Sequence, residues 1–424
     1  MMNHPKMKYT YVGVDSHKDT HCAFIINCFF EKVGTFTVKN APNEFEAFVE
    51  MVKKYKLEGT SLVFGFEDVS EYGRQLVSFL LKKKFVVKHV NSYLVAHERK
   101  SLNVTQKTDE FDAECAARVL LNRFDSLPKA DVQDKYWILK NLVTHREAMV
   151  KSNITLKNRL HSLLASHYPS YTNFFCSIDT LGALAFYEKY PSPSKIKDVT
   201  AEELNEFLTG ASGRGNPKDK AQKILNYINA DGDTTIEHQE IRDSTVISVV
   251  KMIRSNMEEL RTIDKKLEEL LEHFDYKLTS IRGVSTAIAA GLISEIGDIS
   301  RFSNPAKLAR YSGVAPITQA SGKSEAQFAD TRGNKALHHI FYSLALSLIS
   351  VSQSKKARNI YFHNYFQKKV SEGKTKRQAL NCLQRRLVNI IWGMMTYKTE
   401  YRNPELQLIE EPQKNPSLKK PSIK

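Results

Sequence analysis

Between residue 9 and about residue 125 the apolar pattern switches repeatedly between period two and helical spacing, and the order of those switches restricts the fold more than any other feature. "YTYVGVDSH", "THCAFIINC" and "EKVGTFTVKN" read as three consecutive strands. The link between the first two is short enough for a hairpin, which predicts an antiparallel meander. "APNEFEAFVEMVKKY" then sets Phe45, Phe48, Val49 and Val52 at helical spacing behind a cap at Asn43. "SLVFGFE" is an apolar strand, "GRQLVSFLLKKK" a helix, "FVVKHV" a strand and "TDEFDAECAARVLLNRF" a strong helix.

Three strands, helix, strand, helix, strand, helix is the order of an RNase H-like α/β fold. Within its first strand stands Asp15, in the apolar run "VGVDSHKDTHCAFII". A buried carboxylate is costly unless it is paired or bound to a cation. Either Asp15 faces solvent from a sheet edge, or a positive group meets it. Three further acids bear on the choice. Glu67 ends a strand, and Asp109 and Asp112 stand three apart at a helix start, on one face and within reach of one site. Four carboxylates from two strands and a helix suit a two-metal phosphoryl-transfer site. Two Mg²⁺ ions about 4 Å apart, with Mn²⁺ as a substitute, would clamp the attacking and leaving oxygens. Each acid alone has a plainer reading. Asp109 is a charge favoured by the helix dipole, and Glu67, beside Asp68 and Glu71, is a solvated strand end.

The chain has 424 residues, enough for two or three domains, and its 62 Lys+Arg against 47 Asp+Glu leave a net charge of +15. That excess favours an anionic partner, nucleic acid first and membrane surface second. It is uneven: residues 353–387 hold ten Lys/Arg and one Glu. Lys355, Lys356, Arg358, Lys368, Lys369, Lys374, Lys376, Arg377, Arg385 and Arg386 are therefore the candidate phosphate contacts, the alternative being a solvated helix face. Five scattered cysteines without a C-x-x-C pair point to free thiols in a reducing cytoplasm. No apolar run approaches a membrane span, and the first residues lack a hydrophobic signal core, so no secretion is expected.

Beyond residue 130 the pattern is helical. Leu142, Met149, Leu156 and Leu163 recur every seven residues, as do Val246, Ile253, Leu260, Leu267 and Phe274. Such repeats fit an antiparallel coiled coil or dimerisation helices, or the core of an ordinary helical bundle. Residues 168–238 between them, punctuated by Pro, Gly and Asp, read as a small helical insertion with mobile loops. From about 278 to 400 the chain is again helical, opening with "LTSIRGVSTAIAAGLISEIGD". Gly283 there precedes a small-residue helix, as in a helix-hairpin-helix-like segment whose amides can meet a phosphate. The Pro- and Lys-rich tail, 403–424, is expected to be disordered.

"GVDSHKD", "FEDVSEYG" and "KTDEFDA" resemble the three motif blocks of the DEDD (RuvC-like) transposases of the IS110 insertion-sequence family. The block running from "IRGVSTAIAAGLISEIGDISRF" to "TRGNKALHHIFYSLA" resembles that family's second domain. The resemblance implies a RuvC-like DEDD catalytic domain over 9–130. Coiled-coil helices with an insertion follow over 131–277, then an all-α C-terminal transposase domain over 278–402. It makes Asp15, Glu67, Asp109 and Asp112 the metal-binding tetrad, which would account for Asp15 in its strand. It also implies a serine nucleophile, at the position of Ser321 in "QASGKS", with Ser324 close enough to compete. The implied protein is a transposase that cuts and rejoins the DNA of its own insertion sequence through a covalent phosphoserine. Its implied partners are donor and target DNA and a structured noncoding bridge RNA, within a homo-oligomer, dimer or tetramer. One departure is at Asp68-Val69-Ser70-Glu71, where the family often carries Thr-Gly. Two other classes use many of the same features. A RuvC-like nuclease of branched DNA attacks with water and has no use for Ser321. A non-catalytic nucleic-acid-binding protein ignores Mg²⁺.

Overall fold

The computed structural model describes residues 4–68, 71–102, 108–130, 133–212, 219–315, 317–321, 324–328, 333–352, 354 and 356–402, with the backbone alone at 134, 317–321 and 324–328. The chain divides into two compact units, 1–137 and 138–424.

The first unit is a mixed α/β sheet with helices on both faces. β1 (Tyr9–Ser16), β2 (Thr20–Ile26) and β3 (Lys32–Lys39) form the antiparallel meander that their short links predict. α1 (Phe45–Lys54), β4 (Ser61–Phe66), α2 (Arg74–Lys82), β5 (Val86–His89), α3 (Ser92–Ser101) and α4 (Asp109–Arg123) follow. The sheet order is β3-β2-β1-β4-β5, with β4 parallel to β1 and β5 parallel to β4. Strand β1 is therefore central, and from Thr10 to Ser16 it is buried on both faces, which is why it reads as a nearly unbroken apolar run. Its even positions, Val12 and Val14, join Phe48 of α1 and Leu76 of α2 in one core. Tyr11, on the other face, joins Ala113, Ala117 and Leu120 of α4 in a second core. The pleat puts Asp15 on that α4 side.

Helix α3 is the element that the pattern reading leaves out. Val95 is its one buried residue, so it carries no apolar stripe to recognise.

The second unit is mainly helical. α5 (Asp134–His167) and α9 (Gln239–Leu271) are the two long helices at the predicted repeats. They run antiparallel. Arg146 pairs with Asp264, Asn256 donates to Ser152 at 3.2 Å, and Arg242 donates to Ser166 Oγ at 3.0 Å, so positions that rise along one helix fall along the other. The fully buried stripe of α5 near the insertion is Leu160 and Leu164, with Leu156 nearly so. Leu163 of the predicted seven-residue series is only partly buried against the same core.

Between these helices α6 (Leu181–Lys189), α7 (Ala201–Ser212) and α8 (Lys220–Asp231) close over an aromatic core that includes Tyr168, Phe174, Phe186 and Tyr187.

α10 (Thr286–Ile296), α11 (Pro305–Tyr311), α12 (Lys335–Ile349), α13 (Ile360–Ser371) and α14 (Lys376–Tyr397) complete the unit. Ahead of α10, Gly283 has φ +106°, and a Cβ there would also lie 2.9 Å from Leu348 Cδ2. Backbone strain alone thus disfavours a side chain there, since the leucine methyl is the end of a flexible side chain and can give way. The expected all-α character of this region needs one correction. β6 (Ile317–Ser321) and β7 (Ser324–Phe328) pair as an antiparallel hairpin. Gly322-Lys323 between them is a Gly-X pair of the kind that tight hairpins favour, a short signal beside the long helical patterns around it.

Among the described residues no helix is long and apolar enough to cross a membrane. All five cysteines are free.

Candidate active site

Asp15 does not escape to an edge. Its strand is the middle one of five, and Asp15 is 7% exposed. Val14 is paired with Phe66 across the parallel β1–β4 ladder, and the Glu67 N–H reaches back toward the Val14 carbonyl at 3.4 Å. The next residue on each strand is an acid. Asp15 and Glu67 thus stand side by side where two adjacent parallel strands end, and the pleat turns both to the α4 face. Carboxyl ends of strands are where open α/β sheets gather ligands.

What brings α4 over them is a pair of glycines. Gly13 and Gly65 are register partners, each two residues before its acid and on the same face. A Cβ on Gly13 would lie 2.1 Å from Ala113 O and 2.3 Å from Ala117 N; one on Gly65 would lie 3.0 Å from Val90 Cγ2 and 3.2 Å from Leu120 Cβ. The missing side chains let the helix backbone lie against the sheet. The Thr108 hydroxyl caps α4 by accepting from the Phe111 N–H at 3.2 Å. Asp109 opens the helix with its side chain 62% exposed, and Asp112, one turn on, is buried. Gly13→Ala should push α4 off the sheet. We expect a loss of roughly 1–3 kcal/mol, the usual range for overpacking, read as a lower urea midpoint. A variant as stable as the parent would mean that the backbone accommodates the methyl group.

His17 links two of the acids. Its Nε2 lies 3.0 Å from Asp15 Oδ2 and 3.2 Å from Asp109 Oδ1. Burial pulls its basicity down, but the Asp15 and Asp109 charges outweigh that and hold it above the usual histidine value. Burial raises the Asp15 carboxyl, and the Asp112 and Asp109 charges add to the rise against the pull of His17. Glu67 is likewise raised, first by burial, then by Asp15 and Asp112, with a hydrogen bond from Ser92 and the Arg99 charge opposing. Arg99 of α3 places Nη2 2.6 Å from Asp112 Oδ1. The contact is an ion pair of poor alignment, since that buried oxygen still accepts no well-formed hydrogen bond.

The electrostatics therefore describe a crowd of carboxylates in which Asp15 feels Glu67's neighbour Asp112 as well as Asp109, and Glu67 feels both Asp15 and Asp112. One ligand atom from each of Asp15, His17 and Asp109 falls within 4.8 Å of the others. An oxygen-rich, mutually repelling donor set with an under-bonded buried oxygen fits a hard divalent cation.

Three contributors escaped sequence reasoning. His17 had a readable signal, for it lies two residues past Asp15 and so shares its face. Arg99 and Ser92 belong to α3, which the pattern does not mark. The departure at Asp68 has a local consequence, since its carboxylate accepts from the Glu71 and Tyr72 N–H groups at 2.9 and 2.8 Å.

The remaining candidates lie in the second unit. Ser321 ends β6 and is the register partner of Ser324, the first residue of β7. Both side chains lie outside the described residues, and so does Lys355. Lys356 and Arg358 line a cavity of about 740 Å³ with Arg282. Lys369, Lys374, Lys376, Arg377 and Arg385 line a groove of about 1580 Å³. Arg386 lies over the rings of Tyr361 and Tyr365, and Lys368 is exposed.

Residues 12–169 match a transposase family model, the DEDD transposase of IS110. Residues 275–361 match the model for the transposase IS116/IS110/IS902 family. The chain is 22% identical to the uncharacterized 44.8 kDa protein of insertion element IS116 from Streptomyces clavuligerus, over 92% of this chain and 95% of that one. It is 25% identical to the uncharacterized 43.6 kDa protein of insertion element IS110 from Streptomyces coelicolor, over 70% and 72%. It is 22% identical to the pilin gene-inverting protein of Moraxella bovis, over 92% and 96%.

Proposed function

The chain belongs to the IS110/IS116 family of transposases, and from that premise we propose that it is a Mg²⁺-dependent recombinase that moves its own insertion sequence with a serine nucleophile. As a transposase it is an enzyme that cuts and rejoins DNA. The observation that carries the proposal is the pair Asp15 and Glu67 on adjacent parallel strands, both of which feel the charge of Asp112 on α4. We read the fold of residues 9–130 as RNase H-like of the RuvC type.

In this reading Asp15, Glu67, Asp109 and Asp112 hold two Mg²⁺ ions, with Mn²⁺ able to substitute. Bound Mg²⁺ supplies Lewis-acid stabilisation of the charge that develops on the scissile phosphate. Arg99 and Ser92 orient Asp112 and Glu67, and His17 holds Asp15 and Asp109 to one side of the site. Ser321 attacks the phosphorus. A new Oγ–P ester bond forms as the serine hydroxyl gives up its proton and the P–O bond to the leaving sugar breaks, and one proton passes to the leaving oxygen, which departs as a hydroxyl. One phosphate ester replaces another, so the exchange can run backwards onto a second DNA end. A structured bridge RNA selects donor and target by base pairing, leaving the protein to read shape and backbone. Two DNAs must be held and exchanged together, so a homo-oligomer, dimer or tetramer, belongs to the proposal.

The metal site can be tested without turnover. Calorimetric titration of Mg²⁺ or Mn²⁺ into the protein should give a binding isotherm that is lost in Asp15→Asn/Glu67→Gln. An identical isotherm for that variant would place the ion elsewhere.

The basic segment is tested by salt dependence. Removing the charges of Lys374, Lys376 and Arg377 should flatten the slope of log affinity for DNA against log salt by about one unit per lost phosphate contact. An unchanged slope would return these residues to a solvated helix face.

A further inference from the structure

The groove among α12, α13 and the start of α14 is unlike a plain basic surface. Lys374, Lys376, Arg377 and Arg385 border it, and its described lining holds no Asp or Glu. None of these four cations has a carboxylate partner among the described residues, whereas Lys369 is paired with Glu372 at 2.7 Å. Beside the cations lies an apolar wall. Tyr342 and Leu346, one turn apart on α12, are 41% and 43% exposed. Two other lining residues carry unmet polar atoms. Gln384 is 1% exposed, its Nε2 donates to Asn381 Oδ1 at 3.3 Å, and its Oε1 has no partner. Arg385 Nη1 is also buried without an acceptor. Buried polar atoms are seldom left unpaired, and a concave site is one place where a ligand completes them.

We infer that this groove is a binding site for a single-stranded stretch of nucleic acid, with one base against Tyr342 and its phosphates along Lys374, Lys376 and Arg377. A duplex presents phosphates outward and keeps its base faces stacked within. It would meet the cations and leave Tyr342, Leu346 and the Gln384 amide unused. A single strand offers phosphates and base faces together, and aromatic rings beside cations are how proteins hold one without reading its sequence. The α14 N-terminus, closed by the Thr375 capping box, begins at Lys376 and Arg377 of the same groove and adds the positive end of its dipole. The inference rests on the reading of residues 353–387 as a nucleic-acid surface and narrows it to a strand type.

The test is fluorescence anisotropy with the full-length protein in EDTA at fixed salt. The probes are unstructured DNA and RNA strands of about 12 nucleotides and the duplex of the same DNA sequence. Both single strands, or one of them, should bind roughly tenfold tighter than the duplex. Tyr342→Ala should weaken single-strand binding roughly tenfold, the effect of losing one stacked base, and leave duplex binding unchanged. Tyr342→Phe keeps the ring and should bind like the parent, with circular dichroism confirming that both variants fold. A preference for the RNA or the DNA strand identifies which one the groove takes. Equal affinity for duplex and single strands, or a Tyr342→Ala variant that loses both alike, overturns the inference while leaving the phosphate surface intact. If none of the three probes binds, the nucleic-acid reading of the segment falls as well.

Discussion

Asp109→Asn is expected to lower DNA strand cleavage by at least about 100-fold while the protein stays folded. The side chain is mostly exposed at the first position of α4, and the helix is capped by Thr108 and not by Asp109. The stability loss should therefore be small, the dipole term of about 0.3–1 kcal/mol plus a weak, exposed contact with His17. The effect on catalysis is larger because a carboxylate that would bind the ion is replaced by a neutral amide, and even groups behind the ligands commonly affect metal sites 10- to 100-fold. Gel assays of cleavage, paired with urea denaturation, separate the two. Wild-type cleavage by Asp109→Asn would remove the helix end from the site.

Asp15→Asn should be equally inactive, yet its stability should move the other way. Burial and the neighbouring acids raise the Asp15 carboxyl in the folded protein. A raised acid stabilises the fold most at low pH, and that contribution is lost as pH rises from the unfolded value through the folded one. Above its folded titration range the ionised carboxylate therefore works against the metal-free fold, and asparagine removes that burden. The gain is net of the lost attraction to His17, which the direction of the shift already includes. A site held together against its own repulsion is what function at the expense of stability looks like.

The second large effect concerns Ser321. In a reaction with labelled DNA, Mg²⁺ and the cognate RNA, wild-type protein should give a covalent protein–DNA band on a denaturing gel. Ser321→Ala should give none, and Ser324→Ala should keep it. The substitution removes a single oxygen, and urea denaturation should show that the variant stays folded. Mutating the four acids cannot separate a serine recombinase from a nuclease, because both need them. The adduct does, since water as nucleophile leaves free ends. If Ser321→Ala still recombines DNA, or if Ser324→Ala alone loses the band, the nucleophile is assigned to the wrong residue. If the wild type cuts without forming the band, water is the attacking group.

Period and punctuation were enough to read the β1–β3 meander, the helices α1, α2 and α4, and the two long antiparallel helices. These depend on local alternation and on faces that must bury apolar atoms, which a single sequence displays. Asp15 was legible as an anomaly for the same reason, a charge at a position where the pattern demands an apolar residue. The β6–β7 hairpin was not, because "ITQAS" and "SEAQF" each carry a single large apolar residue and so show no alternation.

What the sequence by itself determined, then, was which segments could become strands and helices and which acids stood out of place. Tertiary structure alone decided that Gly13 faces Gly65 across two parallel strands, so that α4 can approach and set Asp112 near Asp15 and Glu67. It also decided that Arg99 meets Asp112 and that His17 bridges Asp15 and Asp109. The physical reason is range. Propensity and amphipathicity act over one or two turns, whereas Gly13 and Gly65, or Arg99 and Asp112, are joined by strand register and helix packing between residues far apart in the chain. In those glycines the informative atom is one that is missing, and its absence has meaning only once the helix that fills the space is in place.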